Sequence, residues 1–304
     1  MGIAIDGVAC RADEALLQHA RLTAAQARRM QDDLRRLPPM SKMVDKIDTA
    51  ERFMFLDCVT MIARDGIDKI HRLDGGGGEP GTVAKTLMNL ASRLTVDWDT
   101  ILRMGNSWYD RMVEGYRKPT RAERQKAFIA MDDDIKKLAA EAKDPKSLAL
   151  GILGSPRRAI SERMGQIFVA LLLPAITGAS EAEDRGAMQF EVTRLGFALA
   201  AYHADHGTYP AKLSELTPKY VAEVPKDIFN TEPLRYRRKG DGYLLYSVGV
   251  NGTDDGANGY DDRERAGRWS DNDWDDLSVR VPAENILLGE GRGFGGPGAD
   301  CPRR

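Results

Sequence analysis

Cysteine and histidine are scarce in this chain, three of the first and four of the second among 304 residues. Cys10, Cys58 and Cys301 lie far apart and form no CxxC or zinc-finger spacing. An odd, sparse set supports no disulfide framework, although it leaves an oxidising compartment open and allows a bridge between Cys10 and Cys301. Cys58 falls on an apolar helical face and reads as a buried small hydrophobe. His203 and His206, with Asp205 between them, could share one side of a helix. No HExxH pattern and no third ligand accompanies them, so helix-end packing is expected there rather than zinc.

Long apolar runs are also missing. The longest, Ile167 to Ala179, is broken by Pro174. A bilayer span needs roughly twenty apolar residues, so this run alone is not expected to cross a membrane. Met1 to Gly7 is too short for the apolar region of a signal peptide and has no basic start. Taken as it stands the chain reads as soluble, and any membrane association would come through a segment not evident in it. The alternative is a fragment, or a late-started frame, that has lost an upstream anchor.

Catalytic signatures are wanting too. There is no GxSxG, no Cys–His pairing and no carboxylate pair in an apolar setting. Gly75 to Gly78 lacks the GxxxxGK[ST] order of a phosphate loop and reads as a connector. The formal net charge is −2, which favours neither nucleic acid nor an anionic membrane. The basic stretch Arg117–Arg163 is interrupted by Asp132, Asp133 and Asp134. That is the pattern of solvated helix faces rather than of a phosphate-tracking stripe, so no nucleic-acid partner is expected.

What is present is a chain 42% hydrophobic and 30% charged, long enough for two domains. The first half reads as helical. Capping-box patterns stand at Thr23–Gln26, Asp48–Glu51 and Thr120–Glu123. One helix is expected within residues 1–40, with Leu34 and Leu37 on its apolar side and Pro38–Pro39 ending it. The second shows Phe53, Leu56, Cys58, Val59, Met61 and Ile62 at helical spacing, with Gly66 as C-cap. Further helices are expected over Val83–Leu94, over 97–116 with Trp98, Trp108 and Tyr109, from Thr120 through Lys143, and from Ser155–Pro156 onward. The aromatic positions read as core, and an enzyme pocket around Trp98, Trp108 and Tyr109 is the competing possibility.

The sharpest pattern begins at Gly186. Met188, Val192, Leu195, Leu199, Tyr202 and His206 recur at steps of three or four and form one apolar stripe that Gly207 ends. Leu234–Arg238 alternates apolar and charged residues, Lys239–Gly242 is a hairpin turn, and Tyr243–Val248 returns. An acidic, glycine-rich loop follows, and Leu277–Val281 alternates again. Three antiparallel strands with one polar face need a cover, which the striped helix can supply. The fold class expected is α+β, with an all-helical region 1–153, a mixed domain 154–288 and a disordered Gly/Pro/Arg-rich tail 289–304.

Residues 251–276 offer Asn251, Asp254, Asp255, Asp261, Asp262, Asp271, Asp273, Asp275 and Asp276. Calcium takes six to eight oxygens, and closing so acidic a loop without a cation costs repulsion. The opposing possibility is a solvated loop partly neutralised by Arg263, Arg265 and Arg268.

The phrase Ala201–Tyr–His–Ala–Asp–His–Gly–Thr–Tyr–Pro210 resembles the helix end of the major pseudopilin of type II secretion (the general secretion pathway protein G type). Ser247–Gly256, with Asp275–Asp276 before the last strand, is similar to that family's calcium loop. The resemblance spans about residues 160–282 and leaves the first half unrecognised. It implies a pilin-like head with a long helix on a three-stranded sheet. It also implies calcium held by Asp254, Asp255 and Asp276, then Asp275 and Asn251. Family members begin with a short leader and an apolar helix bearing an early Glu. Here Gly165 is followed by Gln–Ile–Phe–Val without that Glu, and 164 residues precede it. The expectation is therefore a pilin-like domain appended to a helical one. It would be a non-enzymatic bacterial cell-envelope protein outside the cytoplasm, whose partners are envelope proteins or secretion-system components. A genuine export pseudopilin is the alternative, an enzyme the second alternative, and a cytoplasmic address follows if Met1 is the native start without an anchor.

Overall fold

The computed structural model describes residues 2–38, 42–66, 95–144, 146, 153–173, 176–259 and 274–282. The helices expected at Val83–Leu94, the Gly75–Gly78 connector, Cys301 and the tail lie outside the described residues. The described chain is α+β, helices together with one small antiparallel sheet. Helices are α1 (Gly2–His19), α2 (Ala24–Arg36), α3 (Met43–Lys46), a π turn at Ile47–Glu51, α4 (Arg52–Asp65), α5 (Trp98–Tyr116), α6 (Arg121–Lys143), α7 (Pro156–Leu172) and α8 (Ile176–His206). A 3₁₀ turn (Leu213–Leu216) precedes β1 (Arg235–Lys239), β2 (Gly242–Ser247) and β3 (Leu277–Val281).

The chain gathers into two compact units. One comprises Leu37–Ala187 with the first four residues. The other joins Ile5–Arg36 to the chain from Met188. This grouping differs from the boundary expected at 153/154. The reason is that Leu16, Leu17, Leu22, Ala27, Met30 and Leu34 of α1, α2 and their connection pack into the same core as α8 and the sheet.

In the helical unit, Phe55, Val59 and Ile62 of α4 are buried with Ile101, Trp108, Tyr109 and Met112 of α5 and with Phe128, Met131, Phe168 and Val169. Glycines make room for the rings. A Cβ at Gly105 would clash with the Phe55 ring, and one at Gly115 would come within 2.6 Å of Phe128. The face expected on α4 is therefore shifted: Phe53 is 61% exposed, whereas Phe55 is 2% exposed. Apolar residues run almost continuously from Phe53 to Leu56, so spacing alone does not choose among them. The glycine groove on α5 does.

The capping box expected at Asp48–Glu51 is absent. The helix has already begun at Met43, whose N–H donates to Glu183 Oε1 at 2.8 Å, and it passes through the π turn into α4. Asp48 instead pairs with Arg52 at 2.8 Å. The boxes at Thr23–Gln26 and Thr120–Glu123 are formed, and α6 ends at Lys143. Ser155 is the N-cap of α7 with Pro156 at the first helical position, although its side chain makes no capping bond.

In the mixed unit the sheet order is β1-β2-β3, both pairs antiparallel. Lys239 pairs with Gly242 across a two-residue turn, where Gly240 has φ +57°. Leu245 faces Val279 in the next pair. Met188, Val192, Leu195 and Leu199 of α8 are fully buried in the same cluster as Leu245 and Val279, as the stripe implied, while Tyr202 is partly buried and His206 exposed. The expected single helix in residues 1–40 is two. The sequence of α1 carries Gly2 and Gly7 and no capping signal, so packing of its Leu16 and Leu17 rather than propensity holds it. Cys10 is buried within α1.

The stretch Pro156–His206 contains a window apolar enough, by length and composition alone, to cross a membrane, with mean hydropathy 1.4.

Candidate metal centre

The loop that leaves β2 is anchored from below by a buried carboxylate. Asp227, 1% exposed, accepts the N–H of Val248 at 2.9 Å and that of Phe229 at 3.0 Å. It thereby fixes where β2 ends and the acidic segment begins. The segment then turns through Gly249, Gly252 and Gly256, all near φ +70°. At Gly249 the requirement is also steric, because a Cβ there would clash with the Asp275 carbonyl. Ala257 takes φ 71° without being glycine, a conformation that costs an L-residue free energy and is held by its surroundings. Its N–H donates to Asp276, and its carbonyl accepts from the Arg280 guanidinium.

Asp276 is the centre of this arrangement. It is 3% exposed. Its Oδ2 accepts the N–H groups of Asp255 at 3.1 Å and Ala257 at 2.7 Å. Its Oδ1 is buried with no hydrogen-bond partner among the described residues. Burial pushes the Asp276 carboxyl up to about 7, with the charges of Asp255 and Asp254 adding to the effect. Carboxylate oxygens of Asp255, Asp275 and Asp276 all lie within 4.8 Å of one another.

Of the five expected ligands, the structure brings these three together. Asn251 borders them: its N–H donates to Asp275 Oδ2 at 3.1 Å and its Nδ2 to Asp255 Oδ2 at 3.2 Å. Asp254 is turned elsewhere. It accepts the Tyr246 hydroxyl at 3.0 Å and the Gly256 N–H at 3.1 Å, and lies 3.6 Å from the Arg235 guanidinium. Asp261, Asp262, Asp271, Asp273 and the three arginines Arg263, Arg265 and Arg268 lie outside the described residues.

Chemically, the site offers hard oxygen donors and a buried carboxylate oxygen left without a donor. Both suit a hard divalent cation of the calcium type. Without one, three carboxylates this close repel, and the least costly relief is a proton on the most buried of them. Sequence reasoning missed Asp227, Ala257 and Arg280, which shape the loop without joining the cluster. Only the isolated Asp in Pro225–Lys–Asp–Ile could have hinted at the first.

The histidines and the aromatic residues are engaged in packing. His203 stacks on Tyr209 with centroids 4.4 Å apart, and His206 lies 4.2 Å from Tyr202. Asp205 pairs with Arg28, Lys219 and the Tyr220 hydroxyl. Trp108 and Tyr109 are 7% and 1% exposed, with Phe55 edge-on to Tyr109 at 5.7 Å and Trp98 against the same cluster. Among the described residues these rings belong to the helical core. Comparison of the chain with protein-family models, curated proteins and solved structures returns no match.

Proposed function

We propose that this chain is a non-enzymatic interaction protein of the bacterial cell envelope, with a pilin-like head stabilised by calcium. The mixed unit supplies the head. One observation carries the proposal: the buried Asp276 carboxylate, with one oxygen lacking a donor, beside Asp255 and Asp275. Those three would hold the ion, and Asn251 borders it closely enough to contribute. The cation would neutralise the cluster and tie the β2 exit to the start of β3. The helical unit would then present a surface to an envelope protein.

A second reading, a pseudopilin acting in protein export, draws on the apolar window within Pro156–His206. It requires membrane insertion and co-purification with secretion components.

The test is a calorimetric calcium titration of the whole chain, paired with thermal melts with and without chelator. The whole chain is needed because α1 and α2 belong to the core of the mixed unit. Saturable binding with a raised melting temperature supports the proposal. Identical melts and no heat of binding would leave the loop a solvated surface.

A further inference from the structure

We propose that the unpaired edge of β1 is a docking site for an extended acidic peptide of a partner protein, which adds to the sheet as a further strand. Among the described residues β1 pairs on one side only, with β2. Across the two-residue turn Lys239 and Gly242 form a hydrogen-bonded pair, and such pairs alternate along an antiparallel ladder. Arg235, Arg237 and Lys239 therefore direct their main-chain groups at β2, whereas Tyr236 and Arg238 direct theirs outward. The outward N–H and carbonyl groups of Tyr236 and Arg238 have no hydrogen-bond partner among the described residues.

The strand is held in place without using that edge. Tyr236 packs against the core of the mixed unit, and its hydroxyl donates to the Pro210 carbonyl at 2.8 Å. The Arg238 guanidinium donates to the neighbouring Tyr209 carbonyl at 3.1 Å. Arg235, Arg237 and Lys239 alternate with these two and leave the opposite face of the strand, where all three are exposed. Arg235 lies 3.6 Å from Asp254. The side chains of Arg237 and Lys239 have neither an ionic nor a hydrogen-bonded partner among the described residues.

The chemistry of this edge selects its occupant. Main-chain donors and acceptors at strand spacing are matched by another extended backbone. A phosphate polymer accepts without donating and would leave the two outward carbonyls unpaired, which disfavours a nucleic acid. Charge narrows the choice further. Four of the five residues of β1 are cationic. Glu232 and Asp241 flank the strand and Asp254 offsets Arg235, so the uncompensated charge lies at Arg237 and Lys239. A second copy pairing through the same edge would set cation against cation, an arrangement that ladders penalise. A strand with a carboxylate at alternate positions would instead set acid beside Arg235, Arg237 and Lys239. The other outer strand lacks this character, because the single cation of β3, Arg280, donates to the Ala257 carbonyl. The docking edge belongs to the mixed unit and does not depend on the calcium reading.

The test is an anisotropy titration of the purified whole chain, in chelator, with a short labelled peptide of alternating Thr and Glu. Two controls accompany it. One carries Lys in place of Glu. The other is the Glu peptide N-methylated at every residue, which keeps the charge and removes the main-chain donors. The Glu peptide should bind saturably, the Lys peptide should not, and N-methylation should weaken binding several-fold. Hydrogen exchange should slow in β1, where the Tyr236 and Arg238 amides face outward, and stay unchanged in β3. Arg237→Glu combined with Lys239→Glu should weaken the Glu peptide several-fold and take up the Lys peptide instead, a gain that an unfolded variant would not show. Absence of binding would overturn the proposal, as would protection outside β1. Equal binding of the N-methylated peptide would reduce the edge to charge attraction alone and also overturn it. So would self-association of the chain that the double variant abolishes, since the edge would then serve a second copy.

Discussion

Asp276 Oδ2 accepts the backbone N–H of Ala257 at 2.7 Å, across 19 residues of sequence. The bond joins the start of β3 to the far side of the acidic loop, and the same oxygen also takes the N–H of Asp255. Removing the carboxylate therefore does two things. It strips the cluster of its most buried oxygen, and it leaves two backbone donors short of an acceptor.

Asp276→Ala should abolish calcium binding and lower stability by about 1–3 kcal/mol even in chelator, the cost of leaving buried donors unsatisfied. Asp254→Ala should retain binding, because Asp254 faces Tyr246 and Arg235 rather than the cluster. Titration calorimetry with chelator melts on both variants reads the difference. Equal loss of binding in the two would restore Asp254 as a ligand.

Leu17, 5% exposed, reaches α8 at Gly196, where an added Cβ would come within 2.7 Å of its methyl group. Leu17→Ala should destabilise the mixed unit by about 2–5 kcal/mol, as for other buried Leu truncations. Urea unfolding followed at the sheet tyrosines measures it. A change under about 1 kcal/mol would mean that α1 is a passive cover rather than part of this core.

The legible features were those encoded by local pattern. The alternation in Leu234–Arg238 and the Lys239–Gly242 turn placed β1 and β2 within a residue of their observed ends, and β3 was placed at Leu277–Val281. The stripe from Met188 to Leu199 marked the buried face of α8. The illegible features were those decided by distant partners. Nothing near Leu17 announces Gly196, and nothing near Phe55 announces Gly105. In the candidate site the acidic composition was plain, yet the separation of Asp254 from the cluster of Asp255, Asp275 and Asp276 involves Tyr246 and Arg235, contributed by strands upstream of the loop.

In the helical unit, Gly105→Ala tests whether the glycine groove selects the α4 face. The added methyl collides with the Phe55 ring. Overpacking of this kind costs about 1–3 kcal/mol. Pairing it with Phe55→Leu should recover part of the loss, since the smaller side chain vacates the collision. Denaturant midpoints of the single and double variants supply the comparison. Strict additivity would show that the two residues do not share the site.

Asp205 carries the clearest pH dependence. Hydrogen bonds from Lys219 and from the Tyr220 hydroxyl, with Arg28 adding its charge, hold its carboxyl down to about 2. A carboxyl depressed in the folded state stabilises that state at pH values above its ordinary range, near 3.8. That stabilisation is lost as pH falls from about 4 toward 2 and the group protonates. The partners come from α2 and from the segment after the 3₁₀ turn, so acid should loosen the α2 contact along with the end of α8. Asp205→Asn should melt lower than the parent at pH 6 and converge on it near pH 2. Thermal melts across that range read both curves. Parallel curves, separated equally at both ends, would show that the three partners contribute nothing through charge.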